Sequence, residues 1–202
     1  MKKNFILSSL LTIGLLGALQ AQVGIGTMSP NAQLTIDPGT SDTAPLELTP
    51  LTTAPGTNLS GGQMAVINGE LYFYDTTRSE WLSVTTMPLT FARNGDIDTQ
   101  SLYFGGRITN QNAQAVMPLD GTIVHISGIS SAGNATKEFQ LRIRNGGTNV
   151  SATTFNFSGN AYNDTAVDID FSAGDVIALR ARDDGNGVIT NPSIIVRVKW
   201  RQ

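Results

Sequence analysis

Between Glu138 and Arg144 the chain alternates without a slip, Phe139, Leu141 and Ile143 against Gln140, Arg142 and Arg144. Val167, Ile169 and Phe171 alternate in the same way against Asp168 and Asp170. A period of two sends one set of side chains into a core and the other toward water or a partner, and no helix satisfies it. Nine runs from Met87 onward read as strands: Leu89 to Arg93, Gln100 to Phe104, Ala115 to Met117, Thr122 to Ile129, Glu138 to Arg144, Thr153 to Phe157, Ala166 to Phe171, Val176 to Arg182 and Ile194 to Trp200. Turn residues separate them, at Asn94-Gly95, Asp120-Gly121, Asn145-Gly146-Gly147, Gly174-Asp175 and Asp184-Gly185. No stretch sustains a helical period, and Lys is confined to Lys2, Lys3, Lys137 and Lys199, so surface helices laced by Glu–Lys pairs are not expected. The expectation is an all-β fold, an antiparallel jelly-roll sandwich over residues 87–202.

Upstream, residues 63–86 read as a small β-meander. Met64 to Ile67 and Leu71 to Tyr74 flank Asn68-Gly69, and Trp81 to Val84 follows a polar loop through Arg78. Asn-Gly between apolar runs signals a type I′ hairpin, because both residues tolerate positive φ. The aromatic group Tyr72, Phe73, Tyr74 and Trp81 is read as the core of this unit rather than a ligand surface. Residues 22–62 carry Pro30, Pro38, Pro45, Pro50 and Pro55 among Thr, Ser and Gly, which excludes a persistent helix and suggests an extended stalk. Two short patches within it, Val23 to Ile25 and Leu34 to Ile36, form brief strands only with a neighbour. Residues 1–21 follow the plan of a secretory signal: Lys2-Lys3, the apolar run Phe5 to Leu16, then small residues up to Ala21. That apolar run is shorter than the ~20 residues that span a bilayer and holds Ser8, Ser9, Thr12 and Gly14, which argues against an anchor.

Composition removes several chemistries. With no Cys there is no disulfide, thiolate nucleophile or thiolate metal site, and with His125 alone no multi-histidine zinc site. The formal charge of −3, more negative still without Lys2 and Lys3, argues against nucleic acid as a main partner. His125 has no neighbouring nucleophile motif, neither a Gly-x-Ser-x-Gly elbow nor a His-Glu-x-x-His, so no catalytic residue and no cofactor is expected. Ile123, His125 and Ser127 are expected to share one strand face, which places the imidazole between sheets or at a subunit interface.

Two acidic loops offer oxygen ligands at the short spacing calcium uses: Asp96 and Asp98 in the first, Asp183 and Asp184 in the second. Neither has the frame of an EF-hand, and Asp with Gly is also what ordinary turns are made of. Arg142 with Arg144, Arg180 with Arg182, and Arg197 with Lys199 and Arg201 each project to one side of their strand. If these strands adjoin they form a basic stripe. Like charges about 5 Å apart in water repel by roughly 0.8 kcal/mol, so a solvated face tolerates them. The alternatives are pairing with Glu138, Asp168 and Asp170, within a sheet or across a trimer axis, or capture of an anionic glycan or other polyanion. Asp42-Thr43-Ala44, Asp75-Thr76-Thr77 and Asp164-Thr165-Ala166 resemble a short O-glycosylation acceptor pattern.

Gly24-Ile25-Gly26-Thr27, Pro30 and Leu34-Thr35-Ile36 resemble an element of bacterial surface and phage tail-fibre-like proteins. Gly61-Gly62-Gln63 through Tyr72-Phe73-Tyr74-Asp75 to Trp81-Leu82-Ser83 is similar to the small module that precedes fibre heads in that group. Met117-Pro118-Leu119-Asp120-Gly121-Thr122-Ile123 and Ser172-Ala173-Gly174-Asp175-Val176-Ile177-Ala178-Leu179 resemble the heads of collagen-stalked surface proteins, which belong with complement and tumour-necrosis-factor-like jelly rolls. The chain departs from that group in lacking a Gly-x-y stalk and a self-cleaving chaperone domain. The resemblance implies a trimeric head that binds receptors or surfaces. Export and resemblance together lead to the expectation of a secreted or cell-surface, non-enzymatic adhesion or recognition protein, a homotrimer whose partner is a glycan or surface receptor. The alternatives are a monomeric lectin-like module with Tyr103, Tyr162 and Trp200 in its groove, or a purely structural envelope or fibre subunit.

Overall fold

The computed structural model describes residues 23–25, 34–37, 39–40, 42, 44–105, 114–133, 136–182 and 188–202. The signal segment 1–21, the Gly26-Thr27 and Pro30 part of the fibre-like element, Thr43 and the Asp183–Asp184 loop lie outside them. Every described element is a strand, and no helix among the described residues is long and apolar enough to cross a membrane. The chain forms two compact units, Met1–Thr49 and Pro50–Gln202. In the first, β1 (Val23–Ile25) and β2 (Leu34–Ile36) pair in parallel, Val23 opposite Leu34 and Ile25 opposite Ile36, so each short patch finds its neighbour in the other.

The second unit begins with a three-stranded antiparallel meander, β3 (Met64–Ile67), β4 (Glu70–Asp75) and β5 (Glu80–Ser83). Asn68 and Gly69 join β3 to β4 with φ of 52° and 86°, the left-handed pair a type I′ turn needs. Tyr72, Trp81, Ile67 and Ala65 are buried together, with Ala54, Leu59 and Tyr74 packed against them. Leu51 bridges to Ile67, which ties the preceding Pro-rich segment to the meander's edge.

The remaining strands are β6 (Met87–Ala92), β7 (Asp96–Ile97), β8 (Tyr103–Phe104), β9 (Ala115–Val116), β10 (Gly121–Ile129), β11 (Ala132–Gly133), β12 (Thr136–Asn145), β13 (Thr148–Ser158), β14 (Ala161–Asp164), β15 (Ile169–Phe171), β16 (Val176–Arg182), β17 (Ile189–Thr190) and β18 (Ser193–Trp200). Their pairing is nested. β6 lies against β18, residues 100–102 against β16, β10 against β14 and β15, and β12 against β13. First with last, second with second-last and so inward is the folded ribbon of a jelly roll. Two further antiparallel pairs, β10 with β18 and β12 with β16, assemble the ribbon into two facing sheets. One holds β6, β18, β10, β14 and β15; the other holds β13, β12, β16 and β9.

The sheets join along both margins, which makes a near-barrel. On one side the β13–β14 hairpin pairs Ser158 with Ala161. On the other, Leu102 donates to the Leu179 carbonyl while the next two residues pair with β6, Tyr103 opposite Ala92 and Phe104 opposite Phe91. The inward residues of the alternating runs meet inside: Phe139, Leu141 and Ile143 of β12, Phe155 and Phe157 of β13, Ile177 and Leu179 of β16, Val196 and Val198 of β18. Glycine is required where the sheets come closest, for a Cβ on Gly128 would lie 2.5 Å from the Phe157 ring.

Two sequence expectations need correction. Ala166 to Phe171 is not one strand. The Asp164 carboxylate accepts the Ala166 N–H, and the Arg78 guanidinium takes the carbonyls of Thr165 and Val167, so residues 165–168 leave the ladder and only Ile169–Phe171 rejoins it. Nor do Ile123 and His125 share a face. A register shift between them in the β10–β18 pairing leaves Ile123 in the core and turns His125 outward.

Candidate functional site

The two sheets present chemically different outer faces. On the β12–β16 sheet, the residues that alternate with the core side chains include four arginines. Register sets Arg182 opposite Glu138, Arg180 opposite Gln140, and Arg142 and Arg144 opposite Ala178 and Val176. Strand neighbours two residues apart lie ~6.8 Å from each other along a strand and adjacent strands lie ~4.8 Å apart, so Arg182, Arg180, Arg142 and Arg144 form one diagonal row across the pair. Its flanks are small and uncharged. On the β13 side stand Asn156, Thr154 and Ala152, and on the far side Ser101 faces Arg180.

Within the row, Arg182 is 3.3 Å from the Glu138 carboxylate, which is itself largely buried. Arg144 donates to the Gly147 carbonyl at 2.5 Å. The Nε atoms of Arg142 and Arg144 are buried against the sheet with no hydrogen-bond partner. Burial, then Arg180, then Arg144 push the Arg142 guanidinium below its usual range. Beside Arg144 opens a shallow depression of about 320 Å³, lined by Gln114, Val116, Gly147 and Val176.

The other two basic candidates of the sequence stand elsewhere. Arg197 and Lys199 lie on β18, in the opposite sheet, so the structure brings four of the six arginine and lysine candidates together and leaves these two apart. Arg197 is exposed opposite His125 and Pro88. The rest of that face is neutral: Thr90, Ser127 and Ser193 surround Ile195, and Ile129 is 62% exposed beside Ala161. His125 holds its Nε2 2.7 Å from the Asn163 side-chain oxygen.

The meander meets the head through charge. Arg78, only 10% exposed, reaches the carbonyl of Val167 at 2.8 Å and that of Val124 at 3.3 Å while its other arm holds Asp75 at 2.7 Å. Burial alone raises the Asp75 carboxyl, but the hydrogen bonds from Arg78 and from the Thr77 N–H outweigh it and hold the group below its usual 3.8. Next to this joint the carboxylates of Glu80, Asp168 and Asp170 converge within 4.8 Å. Arg201 bonds Glu80 at 2.9 Å and Asp170 at 2.8 Å, and the buried Thr122 hydroxyl lies 2.8 Å from an oxygen of each. Burial and the neighbouring Asp170 push the Asp168 carboxyl up against the pull of Arg78. Of the alternatives open to the basic residues, pairing with Glu138, Asp168 and Asp170, the structure shows Arg182 with Glu138 and Arg201 with Asp170. Sequence reasoning missed Glu80 and Arg78, because only the docking of the meander brings position 80 to positions 168 and 170.

The calcium candidates sit differently. Asp96 accepts the hydroxyl of Thr190, its cross-strand partner on β17, and Asp98 accepts the Thr99 N–H within its own turn, and their oxygens do not converge with a third acidic group among the described residues. Two of the aromatic lectin candidates pack against the core, Tyr162 stacked on Phe157 at 5.3 Å and Trp200 edge-on to Phe171, and the third, Tyr103, is half-buried with the Arg93 guanidinium over its ring at 5.0 Å. A depression of about 790 Å³ lies between the Pro55 loop, the meander and the head, with Tyr74, Trp81, Asp120 and Arg201 in its wall. The Trp81 indole N–H there already donates to the Pro55 carbonyl at 2.9 Å. Compared with known proteins, the chain matches no family model and no curated sequence.

Proposed function

We propose that the chain is an exported, non-enzymatic adhesion or recognition protein, its jelly roll the head of a surface fibre that associates as a homotrimer. One observation carries this reading: the two outer faces of the head differ, one setting exposed aliphatic side chains around Arg197 and Lys199, the other lined by a row of four arginines. Apolar surface left in water favours burial by a copy of the same chain, and Ile129, Ile195, Ala161 and Pro88 supply such a surface on the β6–β18–β10–β14 sheet. The meander adds Met64 and Phe73, cross-strand partners 49% and 36% exposed. The arginine face then stays outward for a ligand.

Static light scattering of the full chain tests the association. A species of three chains, dissociated by Ile129→Asp with Ile195→Asp, is the expected result, and a monomer at all concentrations contradicts it. The lectin-like alternative draws its support from the large depression beside Tyr74 and Trp81. It requires glycan binding by a monomer, with loss on changing Tyr74 and no effect of the Ile129 and Ile195 substitutions.

A further inference from the structure

Among the described residues, no acidic partner faces Arg180, Arg142 or Arg144 in the arginine row. Arg182 has Glu138, but the sites across from Arg180, Arg142 and Arg144 on β12, β13, β16 and the 100–102 segment are Gln140, Ala178, Val176, Ala152, Asn149 and Ser101, none of them acidic. Two guanidinium Nε–H donors in this row are buried and unsatisfied, a state that ordinarily costs stability unless something accepts them. The neighbours are small hydroxyl, amide and methyl groups, which leaves room over the row and adds hydrogen-bonding groups of the kind that contact sugars. The shallow depression at Arg144 continues the row to the edge of the sheet.

We infer that the outer face of β13, β12 and β16 is a binding site for an anionic polysaccharide, its sulfate or carboxylate groups held by Arg142, Arg144 and Arg180 and its hydroxyls met by Gln140, Thr154 and Ser101. Charge complementarity selects this occupant. A planar guanidinium engages a sulfate or carboxylate with two parallel hydrogen bonds, and a diagonal row of them matches a linear polymer with charge at regular intervals. On a protein that is negative overall, a cationic strip draws such a polymer toward itself. Sulfate and carboxylate share this chemistry, and the test separates them. The inference rests on the recognition-head reading and names its ligand class.

The experiment measures binding of the full chain to dextran sulfate, hyaluronan, neutral dextran, poly-glutamate and duplex DNA at low and physiological salt. Expected is saturable binding to dextran sulfate, hyaluronan or both, weakened at least 10-fold by Arg142→Gln with Arg180→Gln and by raised salt. The matched pair Arg197→Gln with Lys199→Gln, on the opposite sheet, is expected to leave it unchanged. Arg142→Lys, which keeps the charge and removes the fork, is expected to lie between. Unchanged melting temperature of each variant separates a binding loss from unfolding, and the lysine variant serves if the double glutamine variant does not fold. Binding to neutral dextran alone overturns the arginine site while sparing the recognition head. Equal losses in both variant pairs, preference for poly-glutamate or DNA, or no binding to any polymer overturn the inference.

Discussion

Gly128 shows how tightly single residues are specified. It lies on β10 opposite Ile194, and a Cβ there meets the Phe157 ring at 2.5 Å and the Ile194 side chain at 2.9 Å. Gly128→Ala should therefore cost about 1–3 kcal/mol through overpacking, read as a lower urea midpoint, while Gly56→Ala, with nothing within 4 Å, should leave it unmoved. Arg78 is the second such residue, since its loss strands the Val167 and Val124 carbonyls and frees Asp75. Arg78→Met is expected to cost about 1.5–3 kcal/mol, with Trp81 fluorescence reporting the meander. Acid should act on the same joint. Because the Asp75 carboxyl is depressed in the folded state, its contribution is complete above the usual 3.8 and is lost as pH falls through the lower folded value. Asp168, raised, has the opposite sign: its protonated form suits the fold, and its penalty appears as pH climbs through its folded value. Melting temperature followed below pH 4 in wild type and Asp75→Asn should show the fall in the first and a flatter course in the second.

At the scale of elements, alternation makes β12 and β16 legible from sequence, because Phe139, Leu141 and Ile143, and Ile177 and Leu179, face inward while the arginines between and beyond them face out. The Asn68-Gly69 turn was legible for the same local reason, and Gly69→Ala, forced into the left-handed region at φ 86°, should lose about 1–2 kcal/mol by denaturant titration. What stayed hidden depends on contacts between distant segments. The run Ala166 to Phe171 reads as one strand where only Ile169–Phe171 pairs, because nothing near Ala166 announces that Arg78, some ninety positions upstream, takes the carbonyls that would continue the ladder. β7, β11 and β17 are two residues each and pair only with one another, so their sequences carry no period to read. Lys137 likewise belongs to β12, one position ahead of the alternating run from Glu138. It points inward, buried, with its ammonium donating to the Gly159 carbonyl at 2.6 Å and to Asn160, a pairing set by the β13–β14 turn.

For the molecule as a whole, the nested pairing of first strand with last follows from burying every alternating run in one core. The same pairing decides which outward residues become neighbours. Arg142 and Arg180 are 38 positions apart and adjacent in the sheet; Arg180 and Arg197 are 17 apart and on opposite sides of the core. The basic candidates were thus readable as residues, and their division between two faces was not. Absence of cysteine allows a direct test of the proposed division of labour, one face for association and one for ligand. Single Ile129→Cys and Thr154→Cys variants would be reacted with a maleimide over a range of protein concentrations, with and without dextran sulfate. The account predicts that position 129 is protected as concentration rises and is indifferent to the polymer, whereas position 154 reacts freely until the polymer is added. Equal, concentration-independent and polymer-independent labelling at both positions would contradict it.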